Sequence, residues 1–239
     1  MAGIFEPLRC IHDGVILEGS MTGRVDDRTQ PAVLMFPGAT GPGPSFLAAV
    51  EALADAGYVA VAIDMYGQDA DISTPEAAGG YFAALMARPE DLRRRVVAWL
   101  ETVRTTPGVD PDRIAALGYC FGGRCVLELA RSGAPVRCVS SFHGLLTTHA
   151  PARPGEVTAR VAVWTGGRDP YAPVADLDAL RSEFDAAGVD YQATLFATAR
   201  HSFTDPDHDG FAEGIAYDPV AHRVAWSGTL ALLEATLAP

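Results

Sequence analysis

Lysine is absent from the 239-residue chain, and all 18 of its basic residues are arginine. This absence excludes every mechanism that needs a lysine amine, among them Schiff-base catalysis, Ser–Lys pairs and the phosphate-binding lysine of Walker-type loops. A glycine-rich dinucleotide fingerprint is also missing, so the sequence implies no organic cofactor.

Long apolar runs and an excess of positive charge are missing as well. No stretch approaches the ~18 consecutive apolar residues that a membrane-spanning helix needs. The formal net charge is −12, and such a surface repels both phosphate backbones and anionic lipids. We therefore expect neither nucleic acid nor a membrane as a partner. The oligomeric state stays open between monomer and homodimer.

Cysteine is scarce, and the N-terminus shows no targeting signal. The 4 cysteines are too few for a disulfide scaffold, so reduced thiols are the simpler interpretation. The segment 1–6 lacks the basic stretch and apolar run of a secretory signal. These features predict a cytoplasmic protein. The length and the 49% hydrophobic content fit one globular domain over residues 1–239.

Short β-branched runs alternate with Ala- and Leu-rich stretches of helical periodicity. This pattern predicts an α/β fold, with a mostly parallel central sheet covered by helices on both faces in a single domain. The strands are predicted at 32–36, 59–63, 114–117, 136–142, 161–165 and 191–196. The helices are predicted at 45–56, from 75 onward, and at 90–104, 125–130, 174–187 and 219–237.

Two polar segments have local interpretations. Asp110-Pro111-Asp112 is predicted to form a turn, because Asp and Pro favour turns. The run Arg93-Arg94-Arg95 is interpreted as a solvated helix face rather than a binding patch.

Three reactive side chains follow three of the predicted strands. Cys120 follows the strand 114–117, Asp169 follows 161–165, and His201 follows 191–196. Functional groups of a parallel sheet lie at the carboxyl ends of its strands, so these three are expected at one edge. Their order along the chain, nucleophile then acid then histidine, is the order of α/β-hydrolase triads.

Cys120 lies in the segment GYCFGG, Gly118 to Gly123, which is the nucleophile-elbow pattern G-x-S-x-G with sulfur in place of oxygen. The glycines are needed because the turn from strand to helix is tight and strains the nucleophile. The helix N-terminus that follows favours the thiolate.

Taken singly, each of these residues has an ordinary structural explanation. Cys120 is the kind of small residue often buried in a core, Asp169 precedes Pro170 as in many turns, and His201 is compatible with a surface loop. Only their joint arrangement favours a catalytic triad.

The segments GYCFGG, Thr165–Asp169 (TGGRD), His201–Phe203 and Ala62–Tyr66 (AIDMY) resemble the dienelactone hydrolase family, also called carboxymethylenebutenolidases. The resemblance runs from about Ala32 to the C-terminal helix, and it implies an α/β-hydrolase fold.

The resemblance also implies roles for individual residues in cleaving an ester or lactone through a thioester. Cys120 would be the nucleophile, His201 the general base and then acid, and Asp169 the group that orients His201. The backbone N–H groups of Phe121 and Ala39 would form the oxyanion hole. No metal ion is implied.

Three positions depart from the family pattern. Gly38 stands where well-studied members carry a glutamate that contacts the resting thiol, so we expect His201 to activate Cys120 directly. Ala77 and Asp205 stand where those members bind the substrate carboxylate with arginines. The family fold and reaction type are compatible with these changes, but dienelactone itself as the substrate is not implied. Thiolates expel poor leaving groups badly, so we expect activated esters, enol lactones or thioesters rather than amides.

Other signals are weaker. The segment Asp205–Gly210 imitates the first half of an EF-hand loop, but Ala216 replaces the glutamate of the twelfth position, so an acidic surface loop is predicted. The candidate pocket-lining residues are Gly38, Tyr66, Tyr119 and His143. The residues expected in the core because of their helical spacing are Phe82, Leu85, Met86 and Trp99.

Three alternative functions remain open on the same scaffold. One is a general carboxylesterase or thioesterase. Another is a tailoring enzyme that isomerises or cyclises its substrate without hydrolysis. The last is a redox sensor that uses the reactive Cys120 thiol without catalysis.

Overall fold

A computed structural model describes residues 5–22 and 29–238 of the chain. Residues 1–4, on which the predicted lack of a secretory signal depends, lie outside the described residues. None of the described helices is both long and apolar enough to cross a membrane.

Eight strands form one sheet, in the spatial order β1-β2-β4-β3-β5-β6-β7-β8. The strands are β1 (Glu6–His12), β2 (Val15–Thr22), β3 (Gln30–Phe36), β4 (Val59–Ala62), β5 (Val109–Tyr119), β6 (Cys138–Phe142), β7 (Arg160–Gly166) and β8 (Tyr191–Phe196). The helices are α1 (Pro44–Asp55), α2 (Pro75–Met86), α3 (Pro89–Arg104), α4 (Phe121–Arg131), α5 (Val174–Ala187) and α6 (Pro219–Leu237), with a short 3₁₀ helix at Pro206–His208.

The sheet is parallel from β4 to β8, and only the pairings of β2 with β1 and with β4 are antiparallel. One core cluster packs α2, α3, α4 and α5 against one face of the sheet. A second cluster packs α1 and α6 against the opposite face. The predicted single α/β domain with a mostly parallel, doubly covered sheet is therefore confirmed.

The N-terminal hairpin of β1 and β2 was not predicted. Its turn is Asp13-Gly14, and both residues have positive φ, 47° and 77°. An Asp-Gly pair between two apolar runs is a strong hairpin signal, because the tight turn matches the twist of the strands. This signal was present in the sequence.

The two local interpretations need correction. Asp110-Pro111-Asp112 is not a turn between elements but the first part of β5. The N–H of Asp112 donates to the Asp110 carboxylate at 3.0 Å, and the register with β3 shifts at this point. The segment therefore forms an irregular part of an extended strand, and it keeps the local hydrogen bond between Asp112 and Asp110.

The arginine run on α3 is a solvated face only at Arg94. Arg95 is buried and donates to the carbonyl oxygen of Met65 at 2.7 Å. Arg93 bonds Glu128 of α4, with Nε 2.9 Å from the carboxylate. Long arginine side chains bury their stems while their heads find partners, which the simple charge pattern did not reveal.

A buried ion network fixes α4, the helix that begins just after Cys120. Glu128 is fully buried and accepts hydrogen bonds from Arg93 and Arg131. Arg131 in turn bonds Glu183 of α5 at 2.8 Å. Two arginines thus balance two glutamates, and removal of any one leaves an unpaired charge in the interior.

We predict that Glu128→Ala lowers the free energy of unfolding by about 3–5 kcal/mol, the usual cost of breaking a buried ion pair. Chemical denaturation followed by circular dichroism measures this loss. The matched control is Glu101→Ala, which breaks the half-exposed pair with Arg104 and should cost under about 1 kcal/mol. Equal losses in the two variants would contradict the role assigned to the network.

Candidate active site

The turn at Cys120 joins β5 to α4 in a strained backbone conformation. Cys120 has φ 53° and ψ −112°, a region that L-residues rarely adopt. A Cβ at Gly118 would overlap the carbonyl of Gly122, and one at Gly122 would overlap the carbonyl of Phe36. Only glycine fits at these two positions, which is the physical reason for the elbow pattern in the sequence.

The structure brings the three predicted catalytic side chains together at the carboxyl edge of the sheet. His201 Nδ1 lies 2.8 Å from Asp169 Oδ2, and both side chains are almost fully buried. The other oxygen, Asp169 Oδ1, accepts the backbone N–H groups of Tyr171 at 2.8 Å and Ala172 at 3.0 Å. Asp169 is therefore held in place by its own loop and fixes the orientation of the His201 ring.

The remaining ring nitrogen of His201, Nε2, is left for Cys120. Burial acts to lower the pKa of His201, but hydrogen bonds to Asp169 and Cys120, with the charges of both groups, outweigh it and raise the pKa to about 10. A protonated imidazole is thus favoured beside the sulfur. A histidine held in this way can act as the acid–base partner of a cysteine nucleophile.

The two predicted oxyanion-hole donors lie beside Cys120. Phe121 opens α4, so its N–H is one of those that a helix leaves unpaired. Ala39 belongs to the loop after β3, which is tied to the elbow by the bond from Gly122 N to Pro37 O at 3.0 Å.

Tyr66 contacts both Ala39 and Phe121. Its hydroxyl donates to the carbonyl of Ala39 at 2.8 Å. Its ring stacks on Phe121 with centroids 6.0 Å apart and planes 7° from parallel. Burial, reinforced by nearby thiols and Asp64, raises the pKa of Tyr66, so the hydroxyl remains a donor.

Tyr66 was expected to line the pocket, but it does not line the cavity at Cys120. Tyr66 lines a neighbouring cavity of about 490 Å³, on the other side of the Gly38–Gly41 loop. The cavity at Cys120 has a volume of about 610 Å³, and the other expected lining residues, Gly38, Tyr119 and His143, do line it.

Gly38 and His143 face the reactive sulfur and imidazole. A Cβ at Gly38 would lie 3.8 Å from the Cβ of Cys120, so a side chain at this position would contact the Cys120 side chain. The ring of His143 lies 5.3 Å from that of His201 and bonds Thr204 Oγ1 at 2.8 Å. Burial holds the pKa of His143 well below its usual value, so it is a neutral wall residue.

Several lining residues were not predicted from the sequence. Phe82 was expected in the core but lines the cavity and packs edge-on against Phe121. Tyr171, two residues after Asp169, lies with its ring 4.8 Å from that of His201. Most of the others come from α1, from α6 and from the loop 204–215, and their proximity to Cys120 depends on tertiary packing that no sequence motif signals.

The acidic loop after His201 is held to the start of α1. Asp207 accepts the N–H of Ser45 at 2.7 Å, and Asp205 accepts its hydroxyl at 2.9 Å. Asp205 also bonds His208 at 2.7 Å. These carboxylates therefore bind a helix N-terminus, where negative charge is stabilised. This is the acidic loop expected in place of an EF-hand.

One group of possible metal ligands lies elsewhere, at the β1–β2 turn. It consists of His12, Asp13 and Asp91. Arg94 forms ion pairs with both carboxylates, so a cation is already present among them.

Comparisons with known proteins show which family the chain resembles in sequence and in fold. The family model described as dienelactone hydrolase family matches residues 18–237. A curated relative, the "probable 2-oxo-3-(5-oxofuran-2-ylidene)propanoate lactonase" of Bradyrhizobium sp, is 29% identical over 90% of this chain and 85% of its own.

Two solved structures are similar over the full length of both chains. One, named m3DLH, has 32% identity and a TM-score of 0.91. The other, a dienelactone hydrolase-like promiscuous phosphotriesterase from metagenomic libraries, has 30% identity and a TM-score of 0.90.

We predict that Tyr66→Phe lowers kcat for an activated ester by roughly tenfold, less than the ~100-fold that loss of a direct oxyanion donor costs. The loss would arise because the Ala39 peptide is no longer fixed by the tyrosine hydroxyl. KM should change little. The control is Tyr81→Phe, whose ring lies 5.8 Å from that of Tyr66. A Tyr66→Phe enzyme with wild-type kcat would contradict this positioning role.

We also predict that Cys120→Ala lowers the pKa of His201 below its wild-type value of about 10. The substitution removes the hydrogen bond and the charge of the sulfur, while the opposing effect of burial remains. In wild type the ring stays protonated through neutral pH, whereas in the variant it loses its proton at a lower pH. Nitrogen NMR of the imidazole across a pH titration measures both values, and unchanged titration would show that Cys120 and His201 are not coupled.

Proposed function

The chain belongs to the dienelactone hydrolase family, and we propose that it hydrolyses an activated ester, enol lactone or thioester with Cys120, His201 and Asp169 as its triad. One observation carries the proposal: a strained cysteine at a helix N-terminus shares a cavity with a histidine whose other nitrogen is bonded to a buried carboxylate. Dienelactone hydrolases act on carboxylic esters and lactones, and the geometry fits that chemistry.

In the proposed mechanism the Cys120 thiolate attacks the acyl carbonyl carbon, and the carbonyl electrons move onto oxygen. The N–H groups of Phe121 and Ala39 stabilise this oxyanion. When the tetrahedral intermediate collapses, the bond to the alkoxide or enolate breaks, and imidazolium His201 gives that oxygen its proton. The product is a thioester on Cys120 and a neutral His201.

Hydrolysis of the thioester completes the cycle. Neutral His201 accepts a proton from water, and the resulting hydroxide attacks the thioester carbonyl. Collapse releases the acid and leaves Cys120 as thiolate with His201 protonated, which is the starting state. Asp169 stabilises the imidazolium throughout, since its carboxylate is fixed by two backbone N–H groups.

The sulfur nucleophile restricts the leaving group. A thiolate is itself a better leaving group than an amide nitrogen, so the tetrahedral intermediate of an amide returns to reactants. Activated esters, enol lactones and thioesters have leaving groups that compete with sulfur. We therefore propose these substrates, and a general carboxylesterase or thioesterase activity falls within the same chemistry.

Two features disfavour the alternative of a thiol sensor. A thiol sensor needs a reactive cysteine but neither a buried His201–Asp169 bond nor a cavity of about 610 Å³.

The mechanism needs a reduced sulfur, and none of the four cysteines forms a disulfide, so we propose that the enzyme works in the reducing cytoplasm. A tailoring reaction would be recognised by products that have not gained water.

Kinetics with Cys120→Ala and Asp169→Asn test the proposal. Wild type should turn over 4-nitrophenyl acetate and an unsubstituted enol lactone. Cys120→Ala should fall to background because the nucleophile is missing. Asp169→Asn should lose about 10⁴-fold in kcat, since it leaves His201 in the wrong tautomer.

The control is Asp176→Asn, an acidic residue in the first turn of α5 that does not line the cavity, which should leave turnover unchanged. Faster cleavage of a 4-nitroanilide than of the matching 4-nitrophenyl ester would contradict the thiolate mechanism. Equal activity of wild type and Cys120→Ala would contradict the triad altogether.

A further inference from the structure

The cavity at Cys120 continues as an apolar groove between α1 and α6. Its walls there are Ala48, Ala49 and Ala52 of α1, with His222 and Trp226 of α6. Three alanines on one helix face leave open the space that larger side chains would fill. The groove therefore belongs to the same cavity as Cys120, and the cavity volume of about 610 Å³ leaves room for an extended group of the substrate.

No free cation lines this cavity within the described part of the chain. Its lining contains no arginine, and the chain has no lysine. The basic groups present are four histidines. Burial holds His143 and His222 at lowered pKa values, which keeps them neutral. His201 is committed to Asp169, and His208 to Asp205.

We propose that the groove binds an uncharged, apolar portion of the substrate and excludes substrates that carry a carboxylate there. The transfer of apolar surface from water into such a groove lowers the free energy. A carboxylate would lose its hydration without gaining a partner, and it would meet Asp205, the one carboxylate that the described residues contribute to the lining. That the bound group belongs to an ester or lactone rests on the proposed function, while the charge selection does not.

Binding of a matched pair of ligands tests charge selection without any catalysis. Octanamide and octanoate have the same chain length, and only the second is charged. Tryptophan fluorescence reports on the groove, because Trp226 lines it while Trp99 and Trp164 are buried in the core.

We expect the Kd of octanamide to be at least about tenfold lower than that of octanoate. The fluorescence change should vanish in Trp226→Phe. Equal or tighter binding of octanoate would overturn the proposal, as would a fluorescence change that persists in Trp226→Phe.

Kinetics on matched esters test whether the groove holds part of the substrate. The acyl pair is 4-nitrophenyl pentanoate with the mono-4-nitrophenyl ester of glutaric acid, and the alcohol pair is phenyl acetate with 3-carboxyphenyl acetate. In at least one pair, wild type should prefer the neutral member by at least about tenfold in kcat/KM. No preference in either pair would overturn the proposal.

A cation placed in the groove should weaken this selection. Ala52 is exposed on α1, so Ala52→Arg leaves the core intact. In the ester pair for which wild type prefers the neutral member, Ala52→Arg should reduce that preference in kcat/KM by about tenfold. The change should come mainly from faster turnover of the anionic ester. Ala84→Arg, at an exposed site of α2 that does not line the cavity, is the control and should leave the preference unchanged.

The outcomes separate this inference from the proposed function. Identical preferences in Ala52→Arg and Ala84→Arg would show that the groove holds neither side of the ester. If no ester is hydrolysed but octanamide binds selectively, the proposed function fails and the charge selection stands. If esters are hydrolysed without regard to charge, the proposed function stands and the charge selection fails.

Discussion

The backbone conformation of Cys120 is the constraint on which the site depends. A cysteine at φ 53° is unfavourable in isolation, and it persists because the surrounding structure leaves it no alternative. The β5 strand ends beside it, α4 begins directly after it, and the two flanking glycines let these elements approach. The strained turn presents the sulfur at the sheet edge and aims the helix N-terminus at it.

The surrounding packing maintains that turn. The buried pairs of Glu128 with Arg93 and Arg131 join α4 to its neighbouring helix and loops. On the opposite side of the elbow, Tyr66 joins the Ala39 loop to the ring of Phe121. The reactive groups are therefore positioned by residues that do not touch the cavity, which is how a small site can be held rigidly.

The fold class, and the meeting of Cys120, Asp169 and His201 at one edge of the sheet, could be predicted from the sequence because both depend on local signals. The alternation of strand and helix patterns determined the architecture, and the spacing of glycines around Cys120 identified the elbow. The hairpin at Asp13-Gly14 was missed although its signal was present. The predicted turn at Asp110–Asp112 was wrong because extended pairing with β3 prevailed over the local propensity.

The lining of the cavity could not be predicted in the same way. Tyr66 and Phe82 lie near the site in different roles from those expected, because each depends on how α2 and the loop after β4 pack around Phe121. The α1–α6 groove brings together residues about 170 positions apart, from Ala52 to Trp226. Such a surface depends on tertiary packing, whereas the family resemblance indicated only that Asp205 stands where other members carry an arginine.

The most direct test of the account is to trap the acyl-enzyme. Wild type turning over 4-nitrophenyl acetate is quenched in acid within the first turnover and digested, and the peptides are analysed by mass spectrometry. We predict one acetyl group on the peptide that contains Cys120, and no acetyl group in Cys120→Ala. An acetyl group on another residue would contradict Cys120 as the nucleophile. So would the absence of any label, under conditions that preserve thioesters and show a burst of nitrophenol.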